Sequence, residues 1–177
     1  GVLKMCGIVG LIDTTGQRRT VDRGLLAYMN DVQSHRGPDE GGLHIDAGIG
    51  LGHRRLSIID LSTGQQPLYN EDGNVVVVFN GEIYNFQEMV AELSSRGHQF
   101  RTRSDTEVIV HAWEEWGQEC VTRFRGMFAF AIWDRRQSTL FLARDRLGVK
   151  PLYYALLPSG WLVFGSELKA ITCHPEF

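Results

Sequence analysis

Cysteine, proline and long apolar runs are all scarce in this chain. Its three cysteines, Cys6, Cys120 and Cys173, form no CxxC pair, so neither a disulfide framework nor a zinc site is expected, and a reducing, cytoplasmic compartment is. The longest apolar runs, residues 75–79 and 127–133, are far shorter than the ~20 residues of a membrane-spanning helix. A net charge of −3 argues against nucleic-acid binding. The composition therefore predicts a globular domain without a membrane or nucleic-acid partner.

Glycine, in contrast, is plentiful, with 20 glycines against 5 prolines in 177 residues. The glycines cluster between apolar runs, as in residues 37–52, and this pattern indicates short strands joined by turns. Strands are predicted at residues 8–12, 56–59, 75–79, 127–133, 140–143, 152–156 and 161–164. Apolar residues at helical spacing predict helices at residues 22–33, 85–96 and 104–116, the last two opening with the capping pairs Asn85–Glu88 and Ser104–Glu107.

Several predicted strands are apolar on both of their faces, so both faces of a sheet require a cover. An α+β fold satisfies this requirement if two mainly antiparallel sheets stack face to face and the helices lie outside them. A doubly wound α/β fold is the alternative. The strands outnumber the helices too heavily for strict βαβ alternation, so the α+β fold is favoured.

Nucleotide-binding and metal-binding motifs are missing. Gly48, Gly50 and Gly52 resemble part of a GxGxxG loop, but His53 stands where its third glycine belongs, so a turn between strands is predicted instead. No Walker-type phosphate loop is present. The six histidines show no metal-binding spacing, so they are predicted to be surface or hydrogen-bonded core side chains and no metal is expected.

Five segments combine charge, glycine and polar groups in ways that a core does not need. They are MCGI at 5–8, HRGPD at 35–39, RRLSIID at 54–60, NGEIYN at 80–85 and SDTE at 104–107. Taken singly, Cys6 is a small buried hydrophobe and Asn80–Gly81 a hairpin turn. Arg55 is likewise a surface ion pair and Asp105 an anion at a helix N-terminus. Their occurrence together favours a functional interpretation.

Further motifs extend the pattern over nearly the whole chain: QPLYN at 66–70, GMFAFAIWD at 126–134, ARDRLGVKPLYY at 143–154 and SELKAI at 166–171. In this order and spacing the sequence resembles the class II glutamine amidotransferase domain of the asparagine synthetase type, a member of the N-terminal-nucleophile hydrolase superfamily. The resemblance implies a four-layer αββα sandwich. It also implies hydrolysis of L-glutamine to glutamate and ammonia, which a synthetase domain in cis or in trans would consume. A homodimer is compatible with it.

The resemblance also implies roles for individual residues. Cys6 would be the nucleophile, and its own α-amine, freed by removal of the initiator methionine, the general base. Asn80 and Gly81 would form the oxyanion hole. Arg55 would bind the glutamine carboxylate, Asp105 with Glu82 the ammonium group, and the backbone of Leu56, Ile58 and Ile59 would complete the pocket, with Arg36 and Asp39 as a supporting loop pair. No cofactor is implied for this domain, because ATP and Mg²⁺ would serve the synthetase domain alone.

The ends of the chain carry further expectations. Residues 1–5 are interpreted as a tag remnant followed by the initiator methionine, and residues 6–177 as the glutaminase domain, with the synthetase domain absent. While residues 1–5 precede Cys6, its nitrogen is a peptide amide, and we expect an inactive protein. An apolar surface is expected at residues 144–154 and 167–171, where a synthetase domain would lie. The competing hypotheses are a catalytically silent interaction or regulatory module and a self-processing hydrolase of another substrate class.

Overall fold

The computed structural model describes residues 5–56 and 64–177. The strands in this part of the chain are β1 (Gly7–Asp13), β2 (Glu40–Asp46), β3 (Ile49–Arg55), β4 (Leu68–Tyr69), β5 (Val75–Ile83), β6 (Gly126–Asp134), β7 (Thr139–Arg144), β8 (Tyr153–Leu156) and β9 (Trp161–Gly165). The helices are α1 (Arg23–Asp31), α2 (Phe86–Ser95), α3 (Asp105–Trp116) and α4 (Leu168–Thr172), and a 3-10 helix (Gly117–Arg123) follows α3. Among the described residues, no helix is long and apolar enough to span a bilayer.

The strands form two sheets. The first sheet has the order β2-β3-β1-β9-β8 and the second the order β4-β5-β6-β7. Every strand pair in the described residues is antiparallel. The α+β prediction is therefore confirmed, and the doubly wound alternative, which needs parallel strands joined by crossover helices, is wrong.

Three apolar cores separate four layers. The core between the sheets is formed mainly by inward-facing residues of β1, β3, β5, β6 and β9. Helices α1 and α4 cover the outer face of the first sheet, and α2 and α3 cover that of the second. Alternate residues of β5 serve different cores: Val76 and Val78 face the first sheet, whereas Val75 and Val77 face the helices. The continuous apolar run at 75–79 thus reflects a strand that is buried on both faces.

The predicted helices are present, but two of their capping interactions differ from the sequence prediction. Ser104 caps α3 as expected, its Oγ accepting a hydrogen bond from Thr106 N at 3.1 Å. Glu107 does not complete the capping box. Its carboxylate instead accepts from the backbone amides of Arg101 (2.8 Å) and Thr102 (2.7 Å), which stabilises the turn before the helix.

Asn85 also departs from the predicted capping pair at the start of α2, where its side chain makes no capping bond. Its Nδ2 donates to Arg123 O and its Oδ1 accepts from Arg125 N, both at 2.9 Å. The side chain thus links α2 to the segment before β6, since those backbone groups of the loop need partners.

The glycine-rich stretch consists of β2 and β3 joined by a turn, as the pattern predicted, but the turn predicted at Gly48, Gly50 and Gly52 is wrong for the last two glycines. Gly48 does lie in a turn, with φ of +80°, but Gly50 and Gly52 lie inside β3. A Cβ atom on Gly50 would lie 2.8 Å from Leu26 Cδ2, and one on Gly52 would lie 2.8 Å from Val9 Cγ1. These glycines therefore permit close packing on the sheet rather than chain reversal.

Candidate active site

Cys6 lies directly before β1, and side chains hold both of its backbone polar groups. Its N–H, a peptide amide because Met5 precedes it, donates to Asn80 Oδ1 at 3.1 Å. Its carbonyl accepts a hydrogen bond from Arg36 Nε at 2.9 Å. Cys6 is half-buried. The contact with Asn80 joins the first sheet to the second across 74 residues of sequence.

Ile8, the second residue of β1, holds the start of this strand in place through its backbone groups. Ile8 N donates to Ser166 Oγ at 2.9 Å, and Ile8 O accepts from the Ser166 amide at 2.9 Å and from Gln33 Nε2 at 3.1 Å. All three residues are buried. The backbone that carries Cys6 is therefore anchored to the segment just after α1 and to the segment between β9 and α4, which gives the sulfur a defined position.

Asn80 and Gly81 lie within β5, where they pair with Ala129 and Phe128 of β6. The hairpin-turn interpretation of this dipeptide is therefore wrong. Asn80 is buried, and its Nδ2 has no hydrogen-bond partner among the described residues. A buried amide N–H rarely lacks a hydrogen-bond acceptor. Nδ2 of Asn80 is therefore available to donate a hydrogen bond beside Cys6.

Gly81 has a backbone conformation that favours glycine, with φ of +150°. A Cβ atom there would lie 2.1 Å from Met127 O. No other residue type fits at this position without moving the backbone of β6. The requirement for glycine next to Asn80 explains the Asn-Gly pair without invoking a turn.

The thiol of Cys6 has competing influences on its acidity. Burial raises its pKa and dominates, while a backbone hydrogen bond with Leu56 and the positive charges of Arg55, Lys150 and Arg36 lower it. The net effect is a raised pKa, so the thiol is mostly protonated near neutral pH and needs a base to become a nucleophile. Three cations around it nevertheless favour the thiolate once the proton leaves.

Arg55 is the last residue of β3, and its side chain is largely buried. Its Nη1 lies 3.2 Å from Glu40 Oε2, so it does form an ion pair, in a partly buried setting. A cavity of about 300 Å³ opens beside it, and His53 and Gln66 contribute to the walls. This volume is at the lower end of the range for small-molecule pockets.

Asp105 is the first residue of α3 and reaches back to β5. Its Oδ2 accepts a hydrogen bond from Ile83 N at 2.9 Å. Burial, the larger effect, and the negative charge of nearby Glu82 raise the pKa of this carboxyl group. At a rise of 3.3–3.4 Å per residue, Ile83 is about 10 Å along β5 from Asn80. A pair of acidic groups whose charges repel each other favours a cationic ligand between them.

The predicted site residues are thus brought together only in part by direct contacts. A first group contains residues that are close enough to interact, namely Cys6, Asn80, Arg55 and Leu56. A second group, which is acidic, lies further along β5 and consists of Glu82 and Asp105. Ile58 and Ile59 lie outside the described residues. Arg36 and Asp39 support the first group, since Arg36 binds the Cys6 carbonyl and the Asp39 amide donates to Arg55 O at 3.2 Å.

Known proteins resemble this chain in sequence and in fold. The family model described as "Glutamine amidotransferase domain" matches residues 5–177. The chain belongs to this family. An asparagine synthetase [glutamine-hydrolyzing] of Bacillus subtilis is 48% identical over 173 residues, which are 97% of this chain and 23% of that protein. A Zea mays asparagine synthetase [glutamine-hydrolyzing] is 44% identical over 168 residues, 95% of this chain and 28% of that protein. This glutamine amidotransferase domain thus spans about a quarter of the length of these relatives.

A solved structure agrees on the fold. The B. subtilis glutamine phosphoribosylpyrophosphate amidotransferase, in complex with ADP and GMP, superposes with a TM-score of 0.75. The match covers 95% of this chain and 43% of that one at 20% sequence identity. At that identity the likeness shows the fold alone, and it agrees with the four-layer αββα sandwich that the family resemblance implied.

Two residues that were given no site role from the sequence position Asn80 in this amidotransferase domain. His53 Nε2 donates to Phe79 O at 3.0 Å, and Gln66 Oε1 accepts from Phe79 N at 2.6 Å. Both backbone groups of Phe79, the residue before Asn80, are therefore held by side chains from outside the second sheet's ladder. Gln66 lies in the QPLYN motif, so the sequence carried a signal for its role. His53 lies in a glycine-rich segment, and no sequence pattern indicated its role.

Acidification is expected to weaken the fold through His53. Burial dominates and lowers the pKa of His53 to about 4, against an ordinary value of 6.5. Below pH 6.5 His53 is therefore protonated in the unfolded chain but stays neutral in the folded chain. The free energy of unfolding falls as the pH drops from 6.5 towards 4. Between pH 7.5 and pH 5 the loss from this residue is about 2 kcal/mol.

Urea denaturation of the wild type and of His53→Gln, in which glutamine keeps a donor for Phe79 O, measures this effect. The difference in unfolding free energy between the two proteins is expected to shrink by about 2 kcal/mol from pH 7.5 to pH 5. A difference that stays constant over that range would show that His53 carries a proton in the folded state.

Proposed function

We propose that this domain hydrolyses the side-chain amide of L-glutamine to glutamate and ammonia, with Cys6 as nucleophile. The observation that carries the proposal is the position of Asn80. Its Oδ1 binds the Cys6 nitrogen, and its buried Nδ2 has no partner among the described residues. A donor placed next to a cysteine in this way suits an oxyanion that forms when the sulfur attacks a carbonyl.

The general base in this mechanism is the α-amine of Cys6 in protein that begins at that residue. A free α-amine has a pKa of about 7.7–8.0, so a useful fraction is unprotonated near neutral pH. It takes the thiol proton as the sulfur–carbon bond forms, and the carbonyl oxygen becomes an oxyanion bound by Asn80 Nδ2 and Gly81 N–H. The same proton then goes to the departing ammonia as the carbon–nitrogen bond breaks. Water hydrolyses the thioester to glutamate and regenerates the thiol.

Substrate recognition follows from the charges around the sulfur. Glutamine carries a carboxylate and an ammonium group at the end opposite to its reacting amide. We assign the carboxylate to the guanidinium of Arg55, which can form two parallel hydrogen bonds, and the ammonium to Asp105 with Glu82. We also assign backbone groups of residues 56–59 to the pocket, of which only Leu56 lies in the part of the chain that the structure describes. Binding of the ammonium group would relieve the repulsion between the two acidic side chains.

The ammonia acceptor is proposed to be an asparagine-synthetase-type domain, in cis or in trans, because the relatives named above are asparagine synthetases. ATP and Mg²⁺ would bind to that domain. An apolar surface supports the proposal where it was expected: Leu147 is 89% exposed, and Val149, Tyr154 and Leu168 are more than half exposed. Exposed large apolar residues in these two stretches suit an interaction surface. Free Cys6, Cys120 and Cys173 suit a reducing compartment, which we propose to be the cytoplasm.

The test is a glutaminase assay on protein whose first residue is Cys6, beside the same protein with Met5 retained. The proposal expects glutamate and ammonia in equal amounts from the first protein and almost none from the second, because a peptide nitrogen is no base. Equal activity in both would overturn the role of the α-amine. Inactivity in both would favour the silent interaction module.

A further inference from the structure

A second group of titratable side chains lies in the outer helical layer. It consists of Glu71 from the loop between β4 and β5, His98 from the connection between α2 and α3, and His111 and Glu114 from α3, and is here called the histidine–glutamate cluster. Each residue offers one ligand atom, and these four atoms all lie within 4.8 Å of one another. Glu114 is nine residues beyond Asp105 on α3, about 13 Å along the helix axis. The cluster is therefore separate from the candidate active site.

Three of the separations between ligand atoms in the cluster match those around a tetrahedral metal. Glu114 Oε2 lies 3.1 Å from His111 Nδ1 and 3.3 Å from His98 Nδ1, and Glu71 Oε1 lies 3.4 Å from His111 Nδ1. Ligands about 2.0–2.1 Å from a tetrahedral Zn²⁺ are about 3.3 Å from each other, by geometry. The three separations agree with that value.

The outward-facing nitrogens of both histidines are already engaged. His111 Nε2 lies 3.2 Å from Glu107 Oε1, and His98 Nε2 lies 2.8 Å from Glu115 Oε2. When each Nε2–H donates to its outer carboxylate, each Nδ1 is left as an acceptor that faces the centre of the cluster. A carboxylate behind a histidine in this way is the usual outer partner of a metal-binding imidazole.

Hydrogen bonds also orient the carboxylates of Glu114 and Glu107. Asn70 Nδ2 donates to Glu114 Oε1, so Oε2 of that residue is directed to the histidines. Glu107 is itself fixed by the backbone amides of Arg101 and Thr102. The outer groups thus hold the ligand atoms of both histidines and of Glu114 in place without a metal, as a preformed site requires.

The charge of the cluster also suits a divalent cation. With both imidazoles neutral, Glu71 and Glu114 contribute two negative charges that one M²⁺ ion would balance. Imidazole and carboxylate ligands together suit a borderline metal such as Zn²⁺. The competing explanation is an ion-pair network in which both imidazoles are protonated, and it predicts no binding of metal.

We propose that the histidine–glutamate cluster binds one divalent transition-metal ion, tested here as Zn²⁺, through Nδ1 of His98 and His111 and one carboxylate oxygen each of Glu71 and Glu114. The ion would tie the β4–β5 loop and the α2–α3 connection to α3. This differs from the sequence expectation that no metal is bound. His98 and His111 are 13 residues apart on different elements, which no metal-binding motif describes.

Titration of chelator-treated protein with ZnCl₂ by calorimetry tests the proposal. Every protein carries Cys6→Ala, so that the candidate nucleophile cannot bind the ion. We expect one Zn²⁺ per chain in this reference protein and in the control Glu119→Gln, which alters an exposed glutamate of the same layer. Glu115→Gln, an outer-partner variant, is expected to lose roughly 10–100-fold in affinity. His98→Gln and Glu71→Gln are expected to lose more.

Zinc X-ray absorption of the loaded reference protein identifies the ligands. Nitrogen and oxygen ligands at about 2.0–2.1 Å support the cluster, whereas a sulfur ligand at about 2.3 Å would place the ion on a remaining cysteine and overturn the proposal. Absence of zinc binding to the reference protein would favour the ion-pair network. Equal affinities in the reference protein, His98→Gln and Glu71→Gln would also overturn the proposal.

Discussion

Protein that begins at Cys6 is expected to lose all measurable glutamine hydrolysis when Cys6 is replaced by alanine. The sulfur forms the covalent bond to the substrate in the proposed mechanism, and removal of such a nucleophile costs roughly 10⁴-fold or more in turnover. The fold is expected to persist. The hydrogen bonds to Asn80 and Arg36 use the backbone of Cys6, which alanine retains. Glutamate release over time measures the first effect, and the thermal unfolding midpoint measures the second.

Cys173→Ala is the matched control for this experiment. Cys173 is partly exposed at the end of α4, where its Sγ donates to Lys169 O. It has no proposed part in the reaction, so activity is expected to remain unchanged. If glutamate release were equal in Cys6→Ala and the unaltered protein, the domain would have another source of catalysis or none, and Cys6 would be a structural residue.

The fold was predictable where apolar residues carry the signal. The stripes of α2 and α3, and the run of β5 that faces two cores, follow directly from periodicity and from apolar residues on both strand faces. Strands β2 and β3 were not predictable in this way. Gly50 and Gly52 have no side chain whose polarity would indicate a buried or an exposed face of the strand. Only the packing of Leu26 and Val9 against them explains why glycine occurs at these positions.

The capping errors have a similar physical origin. A Glu three residues after Ser104 fits a capping box, but the carboxylate of Glu107 found backbone amides in the preceding turn instead. Both arrangements satisfy unpaired N–H groups near a helix start. The sequence pattern is the same for both, so the tertiary path of residues 101–103 decides between them.

The candidate site depended on resemblance more than on local pattern. Cys6 and Asn80 are 74 residues apart and meet only because the two sheets stack. No periodicity or turn signal encodes that contact, and Asn80–Gly81 read locally as a hairpin turn. The family motifs pointed to the pair, whereas the supporting roles of His53 and Gln66 became evident only from their bonds to Phe79.

Asn80 offers a variant that separates its two interactions. Aspartate has nearly the same shape as asparagine, so Asn80→Asp keeps an oxygen that can accept the hydrogen bond from the Cys6 nitrogen. It replaces Nδ2, the donor without a partner among the described residues, with a second carboxylate oxygen. An oxyanion would then face an acceptor instead of a donor, while the contact that positions Cys6 persists.

We therefore expect Asn80→Asp to lower kcat by roughly 10²–10³-fold or more, as loss of one oxyanion donor does. KM is expected to change little, because we propose that Arg55 and Asp105 bind the other end of glutamine. Asn80→Ala, which removes both interactions, is the companion variant, and its kcat is expected to fall by at least the range given for a lost donor. Initial rates over a range of glutamine concentrations, with protein that begins at Cys6, give both constants. A protein with Asn80→Asp that kept half of the original kcat would show that Nδ2 does not stabilise the transition state, and a rise confined to KM would assign Asn80 to substrate binding instead.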